Sequence, residues 1–480
     1  MIRTRWHAVA AILTAAVALR IWDVGNPVIH VDEQYYLLVG DRLLHGAVPF
    51  VDIWDRKPVG LFLIYAAIRL LPGDGVVAYQ LVAMAVAALS ALLVARGARM
   101  LGATPTGACA GGVAYLILLE LIGGRGGQSP VFYNLPMIAA ALLTLRLPDL
   151  AAARARAEIV ASGLLACLLA GVAIQIKYTA AVEGAFFGAA HGWFLIRARA
   201  GWPTMIAAMA AWAAAGVGPT ALAAAWYAGH GMLVAFWFAN FSSIALRPGY
   251  PIGQLVMRLL GIGAQLAPLI VGVVLAWRWE GRNPRLRVAL GWLAAATIGF
   301  LAIGTFFDHY ALPLVAPLAI IAAVAMGRSA RLAIATLALG MGLWGIETLV
   351  RPDDASGARA VARVVAANDR GECPYVFIGD TITYRLADAC LPTPYAFPNF
   401  LAYTTEQGAM GIDEAGEVRR ILAQRPPLIV TSDRKLDIWN RASLAEVNRA
   451  IATDYRPVLT VPRSNWHSIV YLRRDLPFRR

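Results

Sequence analysis

The sequence predicts a polytopic α-helical membrane protein with a small α/β domain at its C-terminal end. Three observations carry this. Of its 480 residues, 59% are hydrophobic and only 15% are charged, with a mean hydropathy of +0.62. A soluble chain is typically about a quarter charged. Apolar runs of roughly 20 residues recur over the first 350 positions, each long enough for a hydrocarbon core of about 30 Å. Beyond position 351 the apolar runs shorten and charge of both signs becomes dense.

Apolar length places about 11 spans, near 7–22, 76–98, 106–122, 130–147, 158–176, 179–196, 203–226, 255–277, 286–305, 311–327 and 331–349. The first could be misread as a signal peptide, since Ala16-Val17-Ala18 looks like a cleavage site. The apolar stretch runs on through Leu19, Ile21 and Trp22, which favours an uncleaved helix. The pieces 59–71 and 232–246 are too short to cross and read as helices lying in the interface.

Basic residues set the orientation. Arg3, Arg5, Arg96, Arg99, Arg146, Arg154, Arg156, Arg197, Arg199, Arg278, Arg285 and Arg328 all fall in one set of loops. Those loops hold only Asp149, Glu158 and Glu280 as acids. The positive-inside rule puts that set in the cytoplasm. The N-terminus is then inside, and residues 352–480 face outward. The net charge of +13 follows from this distribution. No basic stripe interleaved with aromatics suggests nucleic acid.

Residues 1–351 therefore form a membrane domain, and 352–480 a periplasmic α/β domain resting on the outer face. In the latter, Tyr375–Gly379, Leu428–Thr431, Val458–Val461 and Ile469–Leu472 read as strands. Residues 356–368, 413–424 and 443–452 read as helices. Cys373 and Cys390 lie in this part, where a periplasmic location would allow a disulfide. Cys109 and Cys167 lie in apolar runs and read as inert small hydrophobes.

The first outer loop, 23–58, is the richest in chemistry. It holds His30, Asp32, Glu33, Asp41, Asp52, Asp55, Arg56 and Lys57, with Tyr35, Tyr36 and Trp54 among them. Asp32-Glu33 opens a predicted helix that runs to His45 and stops at Gly46. Acids at a helix start are favoured by the dipole and by free N–H groups, which accounts for one carboxylate. It accounts less well for two, with a histidine and an Asp-Arg-Lys run nearby. Pro58 suits the first turn of the 59–71 helix, and Asp55 could cap it. Arg56 and Lys57 fit either headgroup contact or phosphate binding, and position alone does not decide.

Further ionisable groups fall near the outer surface. Lys177 ends one span, Arg125 follows the break at Gly123-Gly124, and Asp308-His309-Tyr310 fills a short turn. Charges at membrane depth are costly and usually line a cavity or pair there. Snorkelling at a helix end suits Arg258, and is open for Lys177. Only Lys57, Lys177 and Lys435 are lysines among 42 basic residues. Two of the three fall at the predicted outer boundary, where a compact point charge suits phosphate. Gly123-Gly124-Arg125-Gly126-Gly127 lacks the Lys-Ser/Thr of a nucleotide-binding loop, and no dinucleotide, zinc-protease or nucleophile-elbow motif occurs. A cytosolic nucleotide sugar is thus disfavoured as donor.

The run His30-Val31-Asp32-Glu33-Gln34-Tyr35-Tyr36, followed by Asp52-Ile53-Trp54-Asp55-Arg56-Lys57-Pro58, resembles bacterial GT-C glycosyltransferases. The likeness is to the family 39 type, the protein O-mannosyltransferase and aminoarabinose transferase relatives. Arg20 and His309-Tyr310-Ala311-Leu312-Pro313 also look like elements of that family. The likeness covers roughly 1–350. Pro58-Val59 departs from it, since relatives often carry a second proline.

The resemblance implies an inverting transfer of a hexosyl or pentosyl group from a polyprenyl-phosphate sugar, outside the bacterial inner membrane. By carry-over, Asp32 is the catalytic base or an acceptor-positioning carboxylate, and Glu33 is a candidate for orienting the acceptor, a lipid, glycan or protein. Lys57, Arg56, Lys177, Arg125 and His309 become candidates for the donor phosphate. Tyr35, Tyr36, Asp55 and Tyr310 become candidates for the sugar or acceptor pocket. No cofactor is assigned, and His30 with Glu33 could help hold a divalent metal. Two rival classes share these features: a flippase or transporter of lipid-linked sugars, and a polymerase or ligase of lipid-linked oligosaccharides. The first would spread its charges through the midplane in paired halves.

Overall fold

The computed structural model describes residues 2–351 and 354–479, with residues 2–5 described in backbone only. The side chains of Arg3 and Arg5 therefore lie outside it. All 11 expected spans are helical. Among the described residues, nine helical segments are long and apolar enough to cross a bilayer. The count is thus lower than expected. Pro105–Leu121 has 17 residues, and Ala180–Arg197 carries Glu183, His191 and Arg197.

The chain divides into two compact units, and neither is one continuous stretch. One comprises Met1–Asp23, Gln80–Ala223 and Pro251–Val350. The other comprises Val24–Tyr79, Ala224–Tyr250 and Arg351–Arg480. Packing therefore cuts across the division of the sequence at 351. The first loop belongs with the C-terminal segment.

The first unit is a helical bundle around Leu312–Arg328, in which every residue from Leu312 to Met326 is buried. Small residues permit this crowding. A Cβ on Gly107 would lie 2.5 Å from the Ala323 carbonyl oxygen, and one on Gly111 2.7 Å from the Ala323 Cβ. Two glycines four apart let Pro105–Leu121 approach backbone to backbone, the usual solution where lipid removes the hydrophobic drive between helices.

The second unit contains a four-stranded sheet in the order β1-β2-β4-β3. Its strands are β1 (Tyr375–Val376), β2 (Leu428–Ser432), β3 (Tyr455–Pro462) and β4 (His467–Arg473). β1 runs parallel to β2, and the other pairs are antiparallel. β4 alternates buried and less buried positions, which places one face on the core. Ala355–Ala367, Glu414–Ala423 and Arg441–Asp454 are the helices that the sequence predicts. A disulfide joins Cys373 to Cys390.

Two short helices of this unit differ from expectation in detail. Pro58 is itself the cap of Val59–Arg69, so Asp55 does not cap it. The Asp55 carboxylate instead accepts from the Arg56 N–H at 2.6 Å. The 232–246 piece is not one helix, because Phe238–Ser242 widens to a π-turn between Leu233–Trp237 and Ser243–Ala245. Within it, Asn240 donates to the Phe236 carbonyl at 2.7 Å and Ser243 to that of Ala239 at 2.8 Å. Such side-chain bonds to the preceding turn compete with the regular ladder. Its Val234, Trp237 and Ile244 are exposed, as an interfacial helix requires.

Candidate active site

The first-loop residues assemble around the helix Val31–Leu44. Its N-cap is His30, whose Nδ1 accepts from the Asp32 N–H at 3.2 Å. An Nδ1 that accepts is unprotonated, so His30 serves first to start the helix. The Asp32 carboxylate is 18% exposed and lies 3.9 Å from that nitrogen. Glu33 is fully buried. The Tyr65 phenol is pushed well up by its burial, and next by the negative charge of Glu33. Gly46, at φ 90°, follows the C-terminal end of the helix, where a left-handed residue costs glycine little.

The segment Asp55–Lys57 lies beside this helix. Tyr35 donates its hydroxyl to the Trp54 carbonyl at 2.6 Å. The Trp54 N–H in turn donates to Pro394 O at 2.9 Å. Lys57 Nζ stands over the Tyr36 ring, 5.6 Å from its centroid. An ammonium over an aromatic face is attracted by the ring's quadrupole. Asp55 is buried, and burial pushes its carboxyl up from the usual range, against the opposing charge of Lys57. The negative charge of Asp32 also raises it. Asp55 therefore feels the charges of both Lys57 and Asp32.

Arg56 is placed differently from Lys57. Its guanidinium lies over Trp54 at 4.8 Å. Its Nη1 is ion-paired with Glu406, and its Nε donates to Ser243 Oγ at 3.2 Å. This candidate phosphate ligand is thus committed to protein partners. Nothing in the local sequence around Thr404–Glu406 signals that partner.

The first unit holds the remaining candidates. Lys177 is 8% exposed, with Nζ 4.2 Å above the Tyr310 ring. Tyr310 packs edge-on to His309 at 4.5 Å, and His309 stacks on Phe307 at 6.0 Å. Arg258 covers the other end of this aromatic series, 4.2 Å from Phe307, and donates to the Thr305 carbonyl at 2.6 Å. It is engaged with the turn rather than only snorkelling. Arg125 pairs with Asp23, Nε to Oδ2 at 3.0 Å. Arg20 forms a salt bridge to Glu120 at 2.9 Å and donates to the carbonyls of Gly124, Arg125 and Gly126. One buried guanidinium therefore gathers the Gly-rich break into a fixed loop.

Among the described residues, no group of three or more His, Cys, Asp or Glu side chains is arranged to hold a metal ion. His30 acts as the helix cap described above.

No family model and no curated protein sequence matches the chain. A solved structure does: the crystal structure of ArnT from Cupriavidus metallidurans bound to undecaprenyl phosphate. The TM-score is 0.65 at 16% identity, covering 98% of this chain and 98% of that chain. At such identity the likeness establishes the fold, a polytopic helical architecture of the GT-C kind with a small C-terminal sheet.

Proposed function

We propose that the chain is a glycosyltransferase that moves a sugar from a polyprenyl-phosphate carrier to an acceptor hydroxyl, on the periplasmic side of a bacterial inner membrane. The observation that carries this reading is that Lys57 stands over Tyr36 and Tyr35 holds the Trp54 carbonyl, which brings the segment Asp55–Lys57 beside the helix that Asp32 opens. Carboxylates beside a cation are what a hydroxyl nucleophile and a phosphate leaving group require. The ArnT fold supports the carrier class, since that relative binds undecaprenyl phosphate.

In this reading Asp32, the more open carboxylate, takes the proton of the acceptor hydroxyl. The hydroxyl oxygen attacks the anomeric carbon as the bond to the phosphate oxygen breaks. The electron pair leaves with the polyprenyl phosphate, and the single displacement inverts the anomeric centre. General-base help of this kind is worth about 10²–10⁴-fold. Glu33 orients the acceptor. Tyr36 and Asp55 bound the sugar, with Tyr35 fixing the adjoining segment through the Trp54 carbonyl.

Charge grows on the phosphate in the transition state, and a preorganised cation stabilises it there. Lys57 is the first candidate. In the other unit, Lys177 over Tyr310 is a compact cation suited to the same class of ligand. Arg125 and Arg56 have carboxylate partners and are assigned to structure.

The test uses purified protein in lipid with a panel of polyprenyl-phosphate sugars, followed by mass spectrometry. Turnover of one donor, abolished by Asp32→Asn in a folded protein, supports the reading. Normal transfer by Asp32→Asn removes Asp32 from the mechanism. Lipid-linked sugar crossing vesicles without turnover replaces the transferase with a transporter.

A further inference from the structure

Three stretches far apart in sequence meet at one carboxylate. Glu406 sits in the short turn Thr404–Glu406, with its side chain 8% exposed. Its Oε2 pairs with Arg56 Nη1, and its Oε1 with Arg247 Nη2 at 2.6 Å. Arg56 also holds Ser243 Oγ. The turn is anchored to the core of its unit, because the Thr404 N–H donates to the Ile438 carbonyl at 2.7 Å. Glu406 is thus the fixed point, and the two arginines are the groups it holds.

We infer that Glu406 is a positioning residue that sets the place of Asp55 and Lys57 through Arg56. Arg56 lies between them in the chain, so its displacement moves both by direct peptide linkage. Removing the Glu406 charge leaves two partly buried guanidiniums repelling one another with no carboxylate between them. Arg56 would then leave the Trp54 face, and the segment Asp55–Lys57 would shift from its place beside Tyr35 and Tyr36. Arg56 and Glu406 form a buried pair that holds a phosphate-facing lysine without touching the phosphate.

The inference rests on the proposed function only for its consequence in turnover. Its structural part is read separately, by amide hydrogen exchange on full-length protein in lipid. Glu406→Gln should speed exchange of the amides of residues 53–57 at least tenfold and leave Ser129–Thr144 unchanged. Glu406→Asp, which keeps the charge, should recover most of the protection. With an active donor, Glu406→Gln should raise the donor KM at least fivefold and leave the acceptor KM unchanged. A purely structural role would lower the yield of folded protein and leave both constants unmoved.

Wild-type exchange over 53–57 in Glu406→Gln overturns the inference. If that variant does not fold, Arg56→Lys serves, since lysine cannot span Glu406, Ser243 and Trp54 at once. It should speed exchange over 53–57 at least threefold, and unchanged exchange again overturns the inference. Failure of the wild type to turn over any donor would count against the proposed function alone.

Discussion

Asp41 and Arg385 form a buried ion pair, Nε to Oδ1 at 3.0 Å, in which the carboxylate is 2% exposed. Arg69 reaches the same oxygen at 2.9 Å. Asp41 lies on Val31–Leu44, the helix that starts with the candidate carboxylates. Two further contacts follow on the same face. Gln34 accepts from the Ile382 N–H at 3.3 Å, and Arg42 donates to the Ala389 carbonyl. Segment 380–390 is therefore a clamp along this helix. Asp41→Ala leaves two guanidiniums without their carboxylate and should cost about 3–5 kcal/mol. Unfolding of the variant and the wild type in lipid nanodiscs checks it. An unchanged transition would show that the helix does not depend on this pair.

The other side of the same helix is set by Gly40. A Cβ there would lie 2.7 Å from the Ala66 amide nitrogen and the Tyr65 carbonyl carbon. Both are backbone atoms of Val59–Arg69, which cannot give way as a flexible side chain can. Gly40→Ala should destabilise the protein by about 1–3 kcal/mol, the usual range for overpacking. It should also lower transfer, because the separation of the two helices places Lys57 relative to Asp32. Equal activity and stability in this variant would mean that the helices shift apart at no cost.

The Cys373–Cys390 disulfide closes a loop of sequence separation 17 that contains the clamp. In the chain-entropy account, a loop of this size is worth about 3 kcal/mol. Cys390 is exposed, so a reductant can reach the bond. Dithiothreitol should lower the unfolding midpoint of the wild type. The Cys373→Ser/Cys390→Ser protein should start lower and respond little to dithiothreitol. A wild type insensitive to reductant, after confirmed reduction, would remove the bond from the stability of this unit.

Asp55 gives a prediction in pH. Burial raises its folded carboxyl above the unfolded value, which is about 3.9 for aspartate. A raised carboxyl favours folding while it is protonated. Its contribution is complete below about pH 3.9 and declines as pH rises through the folded value. Asp55→Asn removes this dependence. The difference in unfolding midpoint, wild type minus Asp55→Asn, should therefore fall with rising pH across that window. Lys57→Met removes the main opposing charge and should move the fall to higher pH. A difference that is flat or rises with pH would contradict the buried placement of Asp55.

The sequence located the helices with good accuracy. All 11 expected spans are helices, because a membrane helix satisfies its backbone within its own segment and needs only apolar length. Span count was less legible, since Pro105–Leu121 and Ala180–Arg197 lie near the limits of length and apolarity. The four strands and three helices of the C-terminal segment were visible from local pattern. The π-turn at Phe238–Ser242 was not, because it depends on where Asn240 and Ser243 find acceptors.

Partnership was decided elsewhere. On sequence, Arg56 and Lys57 are equivalent neighbours, two cations before a proline. The tertiary structure separates them: one is stacked on Trp54 and paired with Glu406, the other stands over Tyr36. Likewise, nothing near Asp41 announces Arg385. By itself, the sequence determined the membrane class and the place of the helices, because each rests on composition within a few turns of chain. Which cation is spent on structure, and which carboxylate is buried, was fixed only when segments more than 300 residues apart met. Charge pairing acts through space, and the local pattern of a chain holds no record of the distant group that will arrive beside it.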